Sequence, residues 1–160
     1  MSAAGKPRHI PVREDWLALR MEDAIEPERP IIDAHHHLWD KPGSRYLLNE
    51  MLDDIGGHTI VATIFAEGKC HYRTDGPEEL RPLGETELVA AIADEAVRRG
   101  AATPQIAAAI IGFVDLSLGE RVGRLVDAHL AAAPGRFRGV RYSSAWHADP
   151  EARGSVLVQP

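Results

Sequence analysis

Apolar and polar positions between residues 31 and 143 fall into two alternating patterns. Short, nearly continuous apolar runs are each followed by a stretch whose apolar residues recur at helical spacing. The first run, IIDAHHHLWD at residues 31–40, separates with period two into two faces. Ile32, Ala34, His36 and Leu38 form a face suited to packing against helices, and Asp33, His35, His37 and Trp39 form the other. Lys41-Pro42-Gly43 ends this strand. Ser44 is then expected to cap a short helix carrying Leu47, Leu48, Met51, Leu52 and Ile55, stopped by Gly56-Gly57. Residues 59–66, TIVATIFA, read as a strand covered on both faces.

A helix is expected over 85–99, with Leu88, Val89, Ile92, Ala96 and Val97 inward and Gly100 as its stop. Residues 106–114, IAAAIIGFV, form a third buried run. Ser117 and Glu120 have the spacing of a capping box, ahead of a helix that turns Val122, Leu125, Val126, Leu130 and Ala133 inward. Residues 137–143, FRGVRYS, make a fourth strand, and the tail shows a turn and one more short apolar piece. Short buried strands alternating with amphipathic helices imply an α/β fold built from parallel βαβ units with right-handed crossovers. Residues 1–30, with Pro7, Pro11, Pro27 and Pro30, read as an N-terminal arm with one short helix over 15–24, anchored by Trp16, Leu17 and Leu19. Residues 31–160 read as the domain.

Composition narrows the function classes. The 160 residues are 44% apolar and 26% charged with a net charge of −6, and no basic cluster suggests a nucleic-acid partner. No apolar run approaches the roughly 18 residues of a membrane span, and the first thirty residues lack the apolar core of a signal peptide. A single cysteine, Cys70, makes a reducing cytoplasm the expected setting. No glycine-rich phosphate loop and no nucleophile elbow are present.

The chemistry-bearing positions cluster where strands end. Imidazoles two apart on one strand project the same way, so His35 and His37 can reach one metal ion or one reacting group. Two core histidines satisfied by hydrogen bonds would give the same spacing. Glu67 closes the second strand at its C-terminal end, where parallel-sheet enzymes place their chemistry; a solvated carboxylate is the ordinary alternative. Arg141 alternates with Val140 and Tyr142 on the fourth strand. It needs an anionic partner, which a substrate carboxylate, Glu67 or Asp115 could each supply. Tyr72 and Arg73 lie in a long loop after Glu67 and could line a site mouth. Cys70 and His71 are adjacent but have no partner at metal spacing, and His147 lies in the tail.

At IIDAHHHLWD the chain resembles the amidohydrolase superfamily, in its amidohydrolase-related branch of sugar-lactone and pyrone-dicarboxylate hydrolases, whose first strand carries Asp-X-His-X-His-Leu-Trp. VREDWLALR, ATIFAE with YRTDGPE, GETELV and GRFRGVRYS extend the resemblance over nearly the whole chain. It implies a TIM-barrel-type (β/α) fold with the site at the C-terminal ends of the strands, and His35 and His37 as the catalytic first-strand pair. In metal-using members such a pair binds a divalent ion, usually zinc; lactone-hydrolysing members can work without one, the histidines polarising the carbonyl. Arg141 would hold a substrate carboxylate.

Four strand–helix units correspond to half of a barrel, which takes about 250 residues. The late-strand histidines and aspartate of the family have no position among these residues. The expectation is therefore a half-barrel of about four parallel strands with helices outside. It would act as a hydrolase on a carboxylated lactone or related cyclic ester or amide if a second chain or copy completes it. The alternative is a non-catalytic half-barrel, either a truncated product or a binding module. Expected partners are a small-molecule substrate and a second copy or complementing half, with neither nucleic acid nor membrane.

Overall fold

The structure is a computed structural model that describes residues 13–20, 22–143 and 148–149. Glu26–Tyr142 forms one compact unit. Outside it, the short helix α1 (Glu14–Leu17) is four residues long, not ten, and Trp16, Leu17 and Leu19 are exposed and do not anchor it. The compact unit runs β1 (Ile31–His36), β2 (Trp39–Lys41), β3 (Ser44–Tyr46), α2 (Leu48–Asp54), β4 (Ile60–Ala66), α3 (Leu83–Arg98), β5 (Gln105–Gly112), α4 (Val122–Ala132) and β6 (Phe137–Val140). Its main sheet has four parallel strands in the order β1-β4-β5-β6. The sequential parallel order is as the alternating pattern implied. Among the described residues this sheet is open, with β1 and β6 as its edges, and no barrel is formed.

Several expectations change on contact with the structure. The histidine strand does not run to residue 40. It stops at His36, and Pro42-Gly43 turns a small antiparallel hairpin of β2 and β3, with Trp39 stacked on Tyr46 at 4.9 Å. Ser44 lies in β3 and caps nothing; its hydroxyl accepts from the Trp39 indole at 2.9 Å. Glu50 closes the start of α2 instead, its carboxylate accepting the Leu47 N–H at 2.9 Å. Ser117 and Glu120 make no capping box. Asp115 accepts from the Ser117 N–H at 2.9 Å at the head of a 3-10 turn, Leu116–Arg121. The tail's apolar piece and His147 lie outside the described residues.

The helices bury one side of the sheet. Phe65 of β4, Ile106 and Ile110 of β5 and Phe137 of β6 share a core with Val89, Ile92, Ala93 and Ala96 of α3 and with Leu48 and Met51 of α2. The reading of 59–66 as covered on both faces is thereby corrected, since Ala62 and Ile64 are only half-buried while Thr63 and Phe65 are fully buried. Val97 and Leu130 also point outward, because α3 and α4 turn through a narrower apolar stripe than the sequence suggested. His129 takes the inward position on α4, with its Nδ1 2.8 Å from the Thr86 hydroxyl. Gly112 permits this packing: a Cβ there would lie 2.8 Å from Phe137 and 3.3 Å from both His129 and Thr86.

Candidate functional site

The register of β1 decides which histidine faces which way. Asp33 pairs with Thr63 and His36 with Phe65, so three steps along β1 match two along β4. One extra residue is accommodated between Asp33 and His36. Strict period two therefore fails across the strand, and Asp33 does not share the side of His35 and His37 as the sequence implied. After the bulge the alternation holds. His36 packs edge-on to Phe65 on the helix side, its Nε2 2.9 Å from the Thr63 hydroxyl. Burial, the dominant influence, depresses the His36 pKa to about 4.

On the opposite side, at the C-terminal strand ends, His35 and His37 converge with Glu67 and Arg141. The His37 Nδ1–H donates to the Ala66 carbonyl at 2.8 Å. A carbonyl can only accept, so neutral His37 presents a bare Nε2. That atom lies 3.2 Å from His35 Nε2, with the two rings edge to face. Glu67 is held by its own N–H donating to Ile111 O at 2.8 Å, and its carboxylate is buried, with the residue 5% exposed. Arg141 lies just past β6, its N–H donating to Gly112 O at 2.9 Å. Its Nε donates to Glu67 Oε1 at 3.0 Å, its Nη2 donates to the Glu67 carbonyl, and its Nη1 stands 3.2 Å from His35 Nε2. Of the anionic partners the sequence allowed, the internal Glu67 is the one engaged. Asp115 serves as a cap.

The flanking loop only partly follows expectation. Tyr72 is half-buried; its hydroxyl has no hydrogen-bond partner among the described residues, and burial, with Glu85 and Glu67 nearby, raises its pKa. Arg73 ion-pairs with Glu87 on α3. Cys70 is buried, and that burial raises its thiol pKa. Two contributors escaped the sequence reading. Phe113, following β5, lies 5.9 Å from the Tyr142 ring beneath Lys69. Glu85, read only as a helix start, is buried in the first turn of α3, and burial raises its pKa to about 7.

Two Nε2 atoms 3.2 Å apart could both sit about 2.1 Å from one zinc ion. A catalytic zinc site normally takes three protein ligands, however, and no group of three His, Cys, Asp or Glu side chains among the described residues could hold an ion. The Arg141 guanidinium also places a cation against the same His35 nitrogen. The described residues do not fit a zinc centre.

Compared with known proteins, the chain matches no protein-family model, no curated sequence and no solved structure. No helix of the described residues is long and apolar enough to cross a membrane.

Proposed function

We propose that this chain binds a carboxylated lactone, or a related cyclic ester or amide, at the strand-end cluster and hydrolyses it there, as the resemblance to amidohydrolases implies. The observation that carries this reading is the unresolved hydrogen bonding around His35. If His35 Nε2–H donates to the bare His37 Nε2, the Arg141 Nη1–H facing it has no acceptor. If His35 instead accepts from Arg141, two lone pairs oppose each other at 3.2 Å. Two bound oxygens remove the conflict. A substrate carboxylate accepts from Arg141 Nη1, and the lactone carbonyl accepts from His35 Nε2–H, which releases His37.

In that arrangement His37 Nε2 is a general base held in one tautomer by the Ala66 carbonyl. Water adds to the acyl carbon and gives its proton to His37 Nε2. The ring C–O bond breaks, and the same proton passes to the departing oxygen, giving a hydroxy acid. Glu67 keeps Arg141 aligned throughout.

A panel of γ- and δ-lactones, with and without a carboxylate, tests this by NMR shift perturbation and pH-stat hydrolysis. The expected result is selective binding of the carboxylated members, lost in Arg141→Met, and turnover lost in His35→Ala. Equal binding of the uncharged lactones, or turnover unchanged in His35→Ala, would overturn it. Among the described residues no third metal ligand joins the histidine pair, which favours a second reading, a binding half that needs a complementing chain. Carboxylate-selective binding without turnover is its signature.

A further inference from the structure

The turn after Glu67 is built on an unusual backbone. Lys69 and His71 both have positive φ, 57° and 55°, within three residues of each other and without glycine's freedom. Such a turn persists only if its surroundings hold it. One side chain reaches its centre: Glu85 Oε1 accepts from the Gly68 N–H at 3.1 Å and from the Cys70 N–H at 2.8 Å. Backbone amides of one turn converging on a single oxygen form an anion nest, here filled by a carboxylate of the same chain whose residue is 3% exposed.

The turn is also pressed onto the helix that supplies Glu85. A Cβ on Gly84 would lie 2.5 Å from the His71 carbonyl and 2.8 Å from the Arg73 nitrogen, and the Arg73 N–H donates to Arg81 O at 2.8 Å. On its other side the turn meets the site. A Cβ on Gly68 would stand 3.7 Å from His37 Nδ1 and 3.6 Å from Glu85 Oε1. The two residues before Gly68 are Ala66, whose carbonyl fixes the His37 tautomer, and Glu67, which grips Arg141.

We infer that Glu85 is a positioning residue: by filling the Gly68–Cys70 nest it fixes the path of the chain after β4, and so holds the Ala66 carbonyl against His37 and Glu67 against Arg141. Only its meaning for turnover rests on the proposed hydrolase function. The required feature is an acceptor oxygen at Oε1, which glutamine also supplies and alanine does not.

The test compares the full chain with Glu85→Ala, Glu85→Gln and, as a core control, Val89→Ala. Imidazole nitrogen NMR reads the His37 tautomer, and amide exchange reads Gly68 and Cys70. Glu85→Ala is expected to mix the His37 tautomers and to speed Gly68 and Cys70 exchange about tenfold or more. Glu85→Gln should match the parent on both readouts, and Val89→Ala should leave the tautomer alone. If Glu85→Ala does not fold, Glu85→Asp, one methylene too short for the nest, is expected to give the same two changes. A folded Ala or Asp variant with an unchanged tautomer and unchanged exchange would overturn the inference, as would mixed tautomers in Val89→Ala. No substrate enters either readout, so a lack of lactone turnover leaves this inference standing, and its failure would not depend on turnover.

Discussion

Thr63 ties β1 to β5 through a single hydroxyl, which accepts the Ala107 N–H at 2.9 Å and lies 2.9 Å from His36 Nε2. The Ala107 amide donates to this hydroxyl, whose own hydrogen is free to go to His36 Nε2 in the tautomer that leaves that nitrogen bare, and burial keeps the His36 ring neutral. Ala107 has a φ of 47°, a strained value for a residue with a side chain, so its amide needs this partner. Thr63→Val preserves shape but leaves a buried amide and a buried imidazole unpaired. The expected loss is about 2–3 kcal/mol in urea unfolding. A loss below about 0.5 kcal/mol would show that the hydroxyl is not what joins the strands.

Stability should depend weakly on pH through mild acid because two buried groups oppose each other. Burial raises the Glu85 carboxyl from 4.5 to about 7, so its contribution is full below pH 4.5 and falls as pH rises through 7. Burial lowers His36 from 6.5 to about 4, so its contribution is full above pH 6.5 and falls as pH drops through 4. Each amounts to about 3 kcal/mol, and between pH 4.5 and 6.5 the two slopes nearly cancel. His129, also lowered by burial, adds to the second slope. Glu85→Gln removes the first slope, and its stability should climb steadily from pH 4.5 to 7. Parallel pH curves for variant and parent would refute this assignment.

Arg141 and Glu67 should be coupled. Arg141→Met strands a buried carboxylate, a loss of about 2 kcal/mol once the half-exposed guanidinium is allowed for. Adding Glu67→Gln removes that charge and should recover part of the loss. A double-mutant cycle by chemical denaturation measures the coupling, and strictly additive losses would count against an ion pair that matters.

Gly84 is expected to refuse a methyl group. Gly84→Ala drives a Cβ into the His71 carbonyl, which sits on strained backbone that cannot easily retreat. A cost of about 1–3 kcal/mol is expected despite alanine's better helix propensity. Amide shifts should move across 68–73 and stay in place in β5. A stabilised variant would mean that the loop is free to yield.

The order of the four parallel strands and the helices between them was legible in the sequence, though not the β2–β3 hairpin, because alternating buried runs and helical stripes leave few topologies once crossovers must be right-handed. So was the meeting of His35 and His37, since positions two apart in an extended chain share a side where no bulge intervenes, and here none does. That Glu67 closes a strand could also be read, whereas Arg141 was expected within the fourth strand and lies just past it. Their pairing stood as one of three open alternatives, and only the parallel alignment of β4, β5 and β6, across 74 positions, decides it by bringing them within 3.0 Å. The bulge that takes Asp33 off the side of the His35 ring, while its carboxylate accepts the His35 N–H at 3.1 Å, could not be read at all, since an extra residue in one strand shows itself only against its neighbour's register. Glu85 is the clearest case. In sequence it is one more acid near a helix start, and it becomes a buried anchor only when the chain from Gly68 to Cys70 folds its amides onto it. Local pattern determined which segments are strands and helices and which side chains share a face. Tertiary structure decided which of those polar groups lost their water and had to find one another.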